Sequence, residues 1–290
     1  MSTAWRKKIL IWLAALAGAA LIVGAVALLQ RGSRELVVTF FDVGQGDAAL
    51  IRSPGGESVL VDGGPSTAVL PKVGSALPFY DRSIDLVILT HCHADHAVGL
   101  VPIVERYRVG RLLMPRDEQG SASCRELTRV ATERGVPIEL ATAGQSFTFS
   151  GAQLSILYPA AGDTGLKGNS SSTVAQLRYG SASFLFTGDA PVSVEDDLIA
   201  RYDAGTLRSN VLKVGHHASR YSTSSEFLGV VHPWYAVVSV GAKNTYGHPH
   251  RSVLEQLKRT GVPVYRTDQV GDVTFTSNGS ELNVAVRNYP

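Results

Sequence analysis

Residues 84–96 read Ile-Asp-Leu-Val-Ile-Leu-Thr-His-Cys-His-Ala-Asp-His, placing His91, His93, Asp95 and His96 in six positions directly after an apolar run. Residues 84–89 are apolar except for Asp85, the pattern of a buried strand. In an extended segment residues two apart point the same way, so His91 and His93 share one side. Cys92 alternates away from them and reads as buried packing rather than as a ligand. From residue 97 the pattern is helical, so the chain turns at Asp95 and His96. Four such donors suit a pair of divalent cations, because neutral imidazole and carboxylate are what zinc, manganese or iron take. Three of the chain's eight histidines fall in these six residues, at the end of a predicted strand, which points to a site rather than a chance surface cluster.

Outward from this stretch, short β runs alternate with helical ones. Strands are predicted at residues 36–41, 48–52 and 58–61, with Gly44-Gln45-Gly46 and Pro54-Gly55-Gly56 as turns. Helices follow at 98–106 and 121–134, the second ended by Gly135, then hairpin-like regions at 147–157 and 174–186. A helix near 192–201, strands at 210–214 and 236–240, a helix at 252–259 and two final strands complete the body. No repeat or Pro- or Ser-rich linker divides it, so residues 35–290 read as one α/β domain.

Residues 9–29 are an uncharged run of 21 preceded by Arg6-Lys7-Lys8. As a helix the run is about 31 Å long, the thickness of a bilayer's hydrocarbon core. The basic cluster predicts a cytoplasmic N-terminal stub, with residues 1–34 forming stub, anchor and short linker and the body facing outward in the cell membrane. Ala25-Val26-Ala27 resembles a cleavage site, so secretion after signal-peptide removal is the alternative. Two cysteines in 290 residues exclude a disulfide scaffold and a Cys-only zinc site. Outside the first thirty residues, 24 basic residues face 25 acidic ones, a net of −1 that disfavours a strongly electrostatic DNA clamp.

The H-x-H-x-D-H signature resembles the metallo-β-lactamase fold. Asp62 in Val61-Asp62-Gly63-Gly64, Asp189 in Thr187-Gly188-Asp189 and the pair His216-His217 follow in that family's order. Phe41-Asp42-Val43-Gly44-Gln45-Gly46-Asp47 and Leu212-Lys213-Val214-Gly215-His216-His217-Ala218-Ser219 look more specifically like the soluble domain of the ComEC competence (DNA-uptake) proteins. The likeness runs over residues 36–276 and does not extend to the membrane channel or the oligonucleotide-binding domain of those proteins. It implies an αββα sandwich with two metal ions, zinc or manganese, at the edge between its sheets. His91 and His93 would hold one ion and Asp95 and His96 the other, Asp189 bridging with its two oxygens. His216 or His217 would complete the second ion, and Asp62 would stand behind a ligand histidine, fixing its tautomer.

One departure stands out: residues 97–188 contain no histidine, where most enzymes of this fold carry another. Asn169, in Gly168-Asn169-Ser170-Ser171-Ser172, matches an asparagine of ComEC-like proteins. It is expected to approach the first metal or the substrate, although a plain loop role fits equally. The loss of an imidazole favours harder ions such as Mn²⁺. Near the C-terminus, Asn244-Thr245-Tyr246-Gly247-His248-Pro249-His250 precedes a helix and resembles another ComEC-like element. There His248 is expected to bind a substrate phosphate or protonate a leaving alkoxide. Ser219 is a weaker substrate-binding candidate.

The expected activity is that of a dinuclear, metal-dependent phosphodiesterase or nuclease in which a hydroxide shared by the two ions attacks in line, with Asp95, His248 and Asn169 as catalytic residues. Its substrate would be single-stranded DNA. The alternatives are a phosphodiesterase on wall or membrane components, such as phosphorylcholine on teichoic acid, and a non-catalytic metal-binding partner of DNA uptake. Asp189 argues against a lactamase proper, since zinc β-lactamases usually carry a cysteine there. Beyond the membrane, met through the N-terminal helix, no protein partner is identifiable.

Overall fold

Alternation along the strands decides the architecture. In the computed structural model, which describes residues 3–30, 35–117 and 120–287, Leu50, Leu60 and Val87 turn to one face of a sheet while Ile51, Val59, Leu86 and Ile88 turn to the other. That is the period of two that the pleat imposes. Both faces are apolar, so both must be covered.

This sheet has the spatial order β17 (Leu282–Arg287), β16 (Asp272–Ser277), β1 (Leu36–Phe40), β2 (Ala49–Arg52), β3 (Ser58–Val61), β5 (Leu86–Ile88), β7 (Leu112–Met114), β8 (Ile138–Leu140). A second sheet runs β15 (Val264–Arg266), β14 (Tyr235–Val238), β13 (Val211–Lys213), β12 (Ala182–Phe186), β11 (Val174–Tyr179), β10 (Ala152–Tyr158), β9 (Ser146–Phe149). Each sheet is antiparallel at one end and parallel at the other, with β3-β5-β7-β8 and β12-β13-β14-β15 parallel. The two-residue strands β4 (Ser83–Ile84) and β6 (Arg108–Val109) pair as a small parallel ribbon.

Between the sheets, Phe40 lies 5.7 Å from Phe186 and 6.1 Å from Phe275 by ring centroids. On the outer face of the first sheet, α2 (Val69–Ala76), α4 (Leu100–Arg106) and α5 (Ala122–Glu133) bring Val73, Ile103 and Leu127 against Leu50 and Leu60. On that of the second, α6 (Val192–Arg201), α8 (Ser225–Val231) and α9 (Arg251–Arg259) bring Leu198, Phe227 and Leu257 against Leu185 and Leu212. Three short helices, α3 (Ala94–Ala97), α7 (Ala204–Leu207) and α10 (Thr267–Val270), complete the body. Helix, sheet, sheet and helix are thus stacked as the αββα sandwich that the resemblance implied.

The chain divides into two units, Met1–Arg34 and Glu35–Pro290. The first contains α1 (Thr3–Gln30), in which the 20 residues Trp5–Gly24 have a mean hydropathy of 1.8, long and apolar enough to cross a membrane. The expected linker, 31–34, lies outside the described residues, and Ala25-Val26-Ala27 falls within the helix. The apolar run expected as one strand over 84–89 is divided at Asp85, whose carboxylate accepts a hydrogen bond from Ser58 N at 2.7 Å. Ile84 therefore pairs with β6 while residues 86–88 join the large sheet.

Candidate metal centre

The donors begin where the strands end. Asp62 follows β3, residues 90–96 follow β5, Asp189 follows β12, and His216 and His217 follow β13, so one edge of each sheet feeds the same place. Asp95, His96, Asp189 and His217 each offer a ligand atom within 4.8 Å of the others, and so do His91, His93 and Asp189. Asp189 belongs to both groups. Its Oδ1 is 3.4 Å from His96 Nε2, and its Oδ2 is 3.7 Å from Nε2 of both His91 and His217.

The rings are turned by partners on their far side. Asp62 Oδ2 accepts from His96 Nδ1 at 2.8 Å, while Thr90 holds that carboxylate through its backbone N–H and its hydroxyl, each at 2.8 Å. His217 Nδ1 donates to Ser239 O at 2.8 Å. Each ring thereby presents Nε2 to the cluster, as metal-binding histidines do. Nε2 of His217 meets Asp95 Oδ2 at 3.2 Å, but three inward atoms have no hydrogen-bond partner: Nε2 of His91 and of His96 and Oδ1 of Asp189 are buried and unpaired. Buried polar atoms are normally satisfied, so these converging orphans fit divalent cations.

Close approach costs backbone strain. Asp62, His216, His217 and Ala218 have φ values of 59°, 49°, 52° and 63°, left-handed conformations that cost about 1–3 kcal/mol each for residues with a side chain. Gly188, at φ +51°, lets the Asp189 loop pass Thr90, where a Cβ would meet the Thr90 side chain at 2.8 Å.

Charge follows from the crowding of carboxylates. Burial alone would lower the pKa of His217, but Asp189 and Asp47 outweigh it and raise it to about 9. His96 is pushed well up despite its burial, by Asp189 and Asp62. Burial would raise Asp189, yet His217 and His96 hold it well below the usual carboxylate range. His91 is driven well down, by burial first and then by His96, which keeps it neutral.

Two residues given no role from the sequence complete this environment. Asp47 and Lys213 are both buried, with Lys213 Nζ 2.6 Å from Asp47 Oδ2. Asp47 Oδ1 lies 3.4 Å from His217 Nδ1. Burial would raise the Asp47 carboxyl, but Lys213 and then His217 bring it down to about 2. A lone lysine in the apolar run Val211-Leu212-Lys213-Val214 was the available signal, since a buried ammonium needs an acid.

Donors and rim open on a cleft of about 600 Å³ lined by His93, Asp95, Asp189, His216, His217 and His248 among others. His248 is lowered to about 4, by burial first and then by His216 and His217. His216 stands outside both donor groups, its Nε2 3.6 Å from Asp189 Oδ2, and Asn169 Nδ2 is 3.2 Å from its Nδ1. The structure therefore groups His217, not His216, with Asp95 and His96. Ser219 is not brought into the cleft; it is buried, its hydroxyl accepting from Tyr221 N at 3.4 Å. Cys92 is buried and is no ligand, but it forms a disulfide with Cys124, just inside α5. Reading Cys92 as packing overlooked that pairing, because nothing local to residue 92 points to a partner 32 positions away.

An αββα sandwich with this donor set at the edge between its sheets is a metal-dependent, hydrolase-type fold. The chain belongs to the metallo-beta-lactamase superfamily, whose family model matches residues 41–242. Among curated proteins it is similar to ComE operon protein 3 of Bacillus subtilis, at 31% identity over 84% of this chain and 33% of that protein. It is likewise similar to competence protein ComA of Neisseria gonorrhoeae, at 31% identity over 83% of this chain and 32% of that one. The chain thus spans about a third of the length of these relatives. Among solved structures it resembles the metallo-beta-lactamase fold protein YhfI of Bacillus subtilis, with a TM-score of 0.57, 13% identity, and coverage of 84% of this chain and 100% of that one. It also resembles Igni18, a metallo hydrolase of Ignicoccus hospitalis, with a TM-score of 0.54, 19% identity, and coverage of 82% and 98%.

Proposed function

We propose that this chain is a membrane-anchored, outward-facing phosphodiesterase with nuclease activity of the ComEC kind. The carrying observation is Asp189, one carboxylate shared by two groups of donors, with its own Oδ1 and the Nε2 atoms of His91 and His96 buried and unpaired. Helix α1 would cross the membrane with Arg6, Lys7 and Lys8 on the cytoplasmic side. The Cys92–Cys124 disulfide supports that orientation, because such bonds persist in oxidising compartments.

His91, His93 and Asp189 would hold one divalent ion and Asp95, His96, Asp189 and His217 the other, and ions so held lower the pKa of water and neutralise phosphate charge. The remaining work falls to the chain's own groups. Asp62 and the Ser239 carbonyl keep the rings of His96 and His217 turned. Asp95, less buried than Asp189 and 3.2 Å from His217 Nε2 through Oδ2, takes the proton released by the attacking water. His248, neutral at pH 7 with its pKa of about 4, is suited to donating a hydrogen bond to a phosphate oxygen rather than protonating the leaving alkoxide. Asn169, against His216, completes the phosphate's surroundings.

The test uses the full chain in detergent, loaded with Mn²⁺ or Zn²⁺, acting on bis(p-nitrophenyl) phosphate. Turnover is expected, with Asp189→Ala lowering kcat/KM by at least about a thousandfold. Equal turnover by the metal-free chain or by Asp189→Ala overturns the proposal. Single-stranded DNA compared with glycerophosphocholine then separates a nuclease from an esterase of wall or membrane components.

A further inference from the structure

The loop after β14 contains an aromatic ring that the chemistry above does not use. Tyr246 lines the cleft together with Asp189, His216 and His217, yet it is 69% exposed. Its ring lies 6.1 Å from that of His248 with an angle of 22° between planes, and His248 lies 5.2 Å from His216. A rank of three rings therefore leads from solvent to the donor cluster. Burial does not fix Tyr246; the loop fixes the backbone that carries it. Asn244 Oδ1 accepts from the backbone N–H of both Tyr246 and His248, at 3.1 and 3.2 Å, while Asn244 Nδ2 donates to Gly241 O and His248 O, at 2.8 and 2.6 Å. Gly247, at φ +74°, supplies the left-handed residue that the turn between the two rings needs. A large apolar face held in place and left in water at the mouth of a cleft is a prepared contact surface.

We propose that Tyr246 is the stacking subsite of this centre, a specificity-determining residue that packs against a planar ring attached to the scissile phosphodiester. The inference rests on the phosphodiesterase reading and deepens it, since it requires a substrate bearing a flat heterocycle, such as a nucleobase, beside the bond that breaks. Stacking is tolerant of ring identity, so the subsite selects for an aromatic group without reading sequence.

The test compares the metal-loaded full chain with Tyr246→Ala, Tyr246→Phe and Tyr246→Trp on two diesters, dithymidine monophosphate and bis-glycerol phosphate. The ratio of kcat/KM for the first to that for the second is expected to fall about tenfold in Tyr246→Ala, chiefly through KM, and to be retained in Tyr246→Phe and Tyr246→Trp. A second readout needs no turnover: saturation-transfer NMR with thymidine 5′-monophosphate on the metal-free chain should show contact with the base that Tyr246→Ala removes. An unchanged ratio, or loss of the ratio in Tyr246→Phe, overturns the inference. So does a larger loss for glycerophosphocholine, run as a third substrate, than for the dinucleotide, which would make the ring a cation-binding face. Failure of the wild-type chain to hydrolyse either diester would strike the phosphodiesterase reading instead, with the NMR contact still deciding the subsite.

Discussion

Replacing Lys213 by Met should destabilise the body far more than a loss of packing would. Lys213 is 3% exposed, its Nζ 2.6 Å from Asp47 Oδ2 and 2.9 Å from the Val214 carbonyl it donates to. Methionine fills similar volume, so the cavity contribution is small. What remains is a buried carboxylate, 5% exposed, whose Oδ1 already lacks a hydrogen-bond donor. Removing one partner of such a pair costs about 3–5 kcal/mol. At about 2–4 °C per kcal/mol for a body of this size, Tm should fall by roughly 6–20 °C. The pH dependence has a definite sign. Asp47 titrates at about 2 in the fold against an ordinary 3.8, so the pair's contribution is complete above 3.8 and lost as pH falls through 2. The deficit of Lys213→Met should accordingly be largest at neutral pH and shrink below pH 4, as Asp47 takes a proton. The assay is thermal melting of the chelator-treated full chain by circular dichroism, with Asp47→Asn/Lys213→Met as the second variant, expected to recover part of the loss because both charges are gone. A loss below about 1 kcal/mol, or a double variant no better than the single, would refute the reasoning.

Metal affinity should depend steeply on pH. His217, at about 9 in the metal-free site, is protonated at pH 7 and must release that proton to offer Nε2. Zinc affinity measured against a competing chelator should thus fall about tenfold per pH unit between 9 and 7 for this proton alone, and an affinity flat across that range would contradict the charge assignment. The disulfide closes a loop with a sequence separation of 32. Cys92→Ala/Cys124→Ala should lower the body's stability by about 4 kcal/mol in urea unfolding and weaken metal binding, since Cys92 stands between His91 and His93. Equal stability of oxidised and reduced chains would show that the bond constrains nothing.

How far the sequence could be read depended on how local each signal is. His91, His93, Asp95 and His96 owe their convergence to one strand end, and their spacing alone reveals it. Asp62, Asp189 and the histidine pair needed the family's order, because each by itself is ordinary turn or cap chemistry. Between His216 and His217 no sequence rule separates the two; in the structure only His217 joins the Asp95–His96–Asp189 group, its Nδ1 hydrogen held by the carbonyl of Ser239. Strands β7, β8 and β15 have three residues each, too few to show a period, and exist because neighbouring strands pair with them. Asp47 sits in a Gly-Gln-Gly-Asp turn and reads as a loop residue until Lys213, 166 positions later, is folded against it.

The two sheets meet along an apolar interior and are tied at one edge by polar contacts such as Lys213–Asp47. Each of the two donor groups draws on both leaves, with His91 and His96 from the first and Asp189 and His217 from the second. A cation seated there would therefore be a further rivet through the sandwich. Withdrawing it would remove that tie at the edge where the donors converge, so metal supply would bear on the stability of the sandwich as well as on the site.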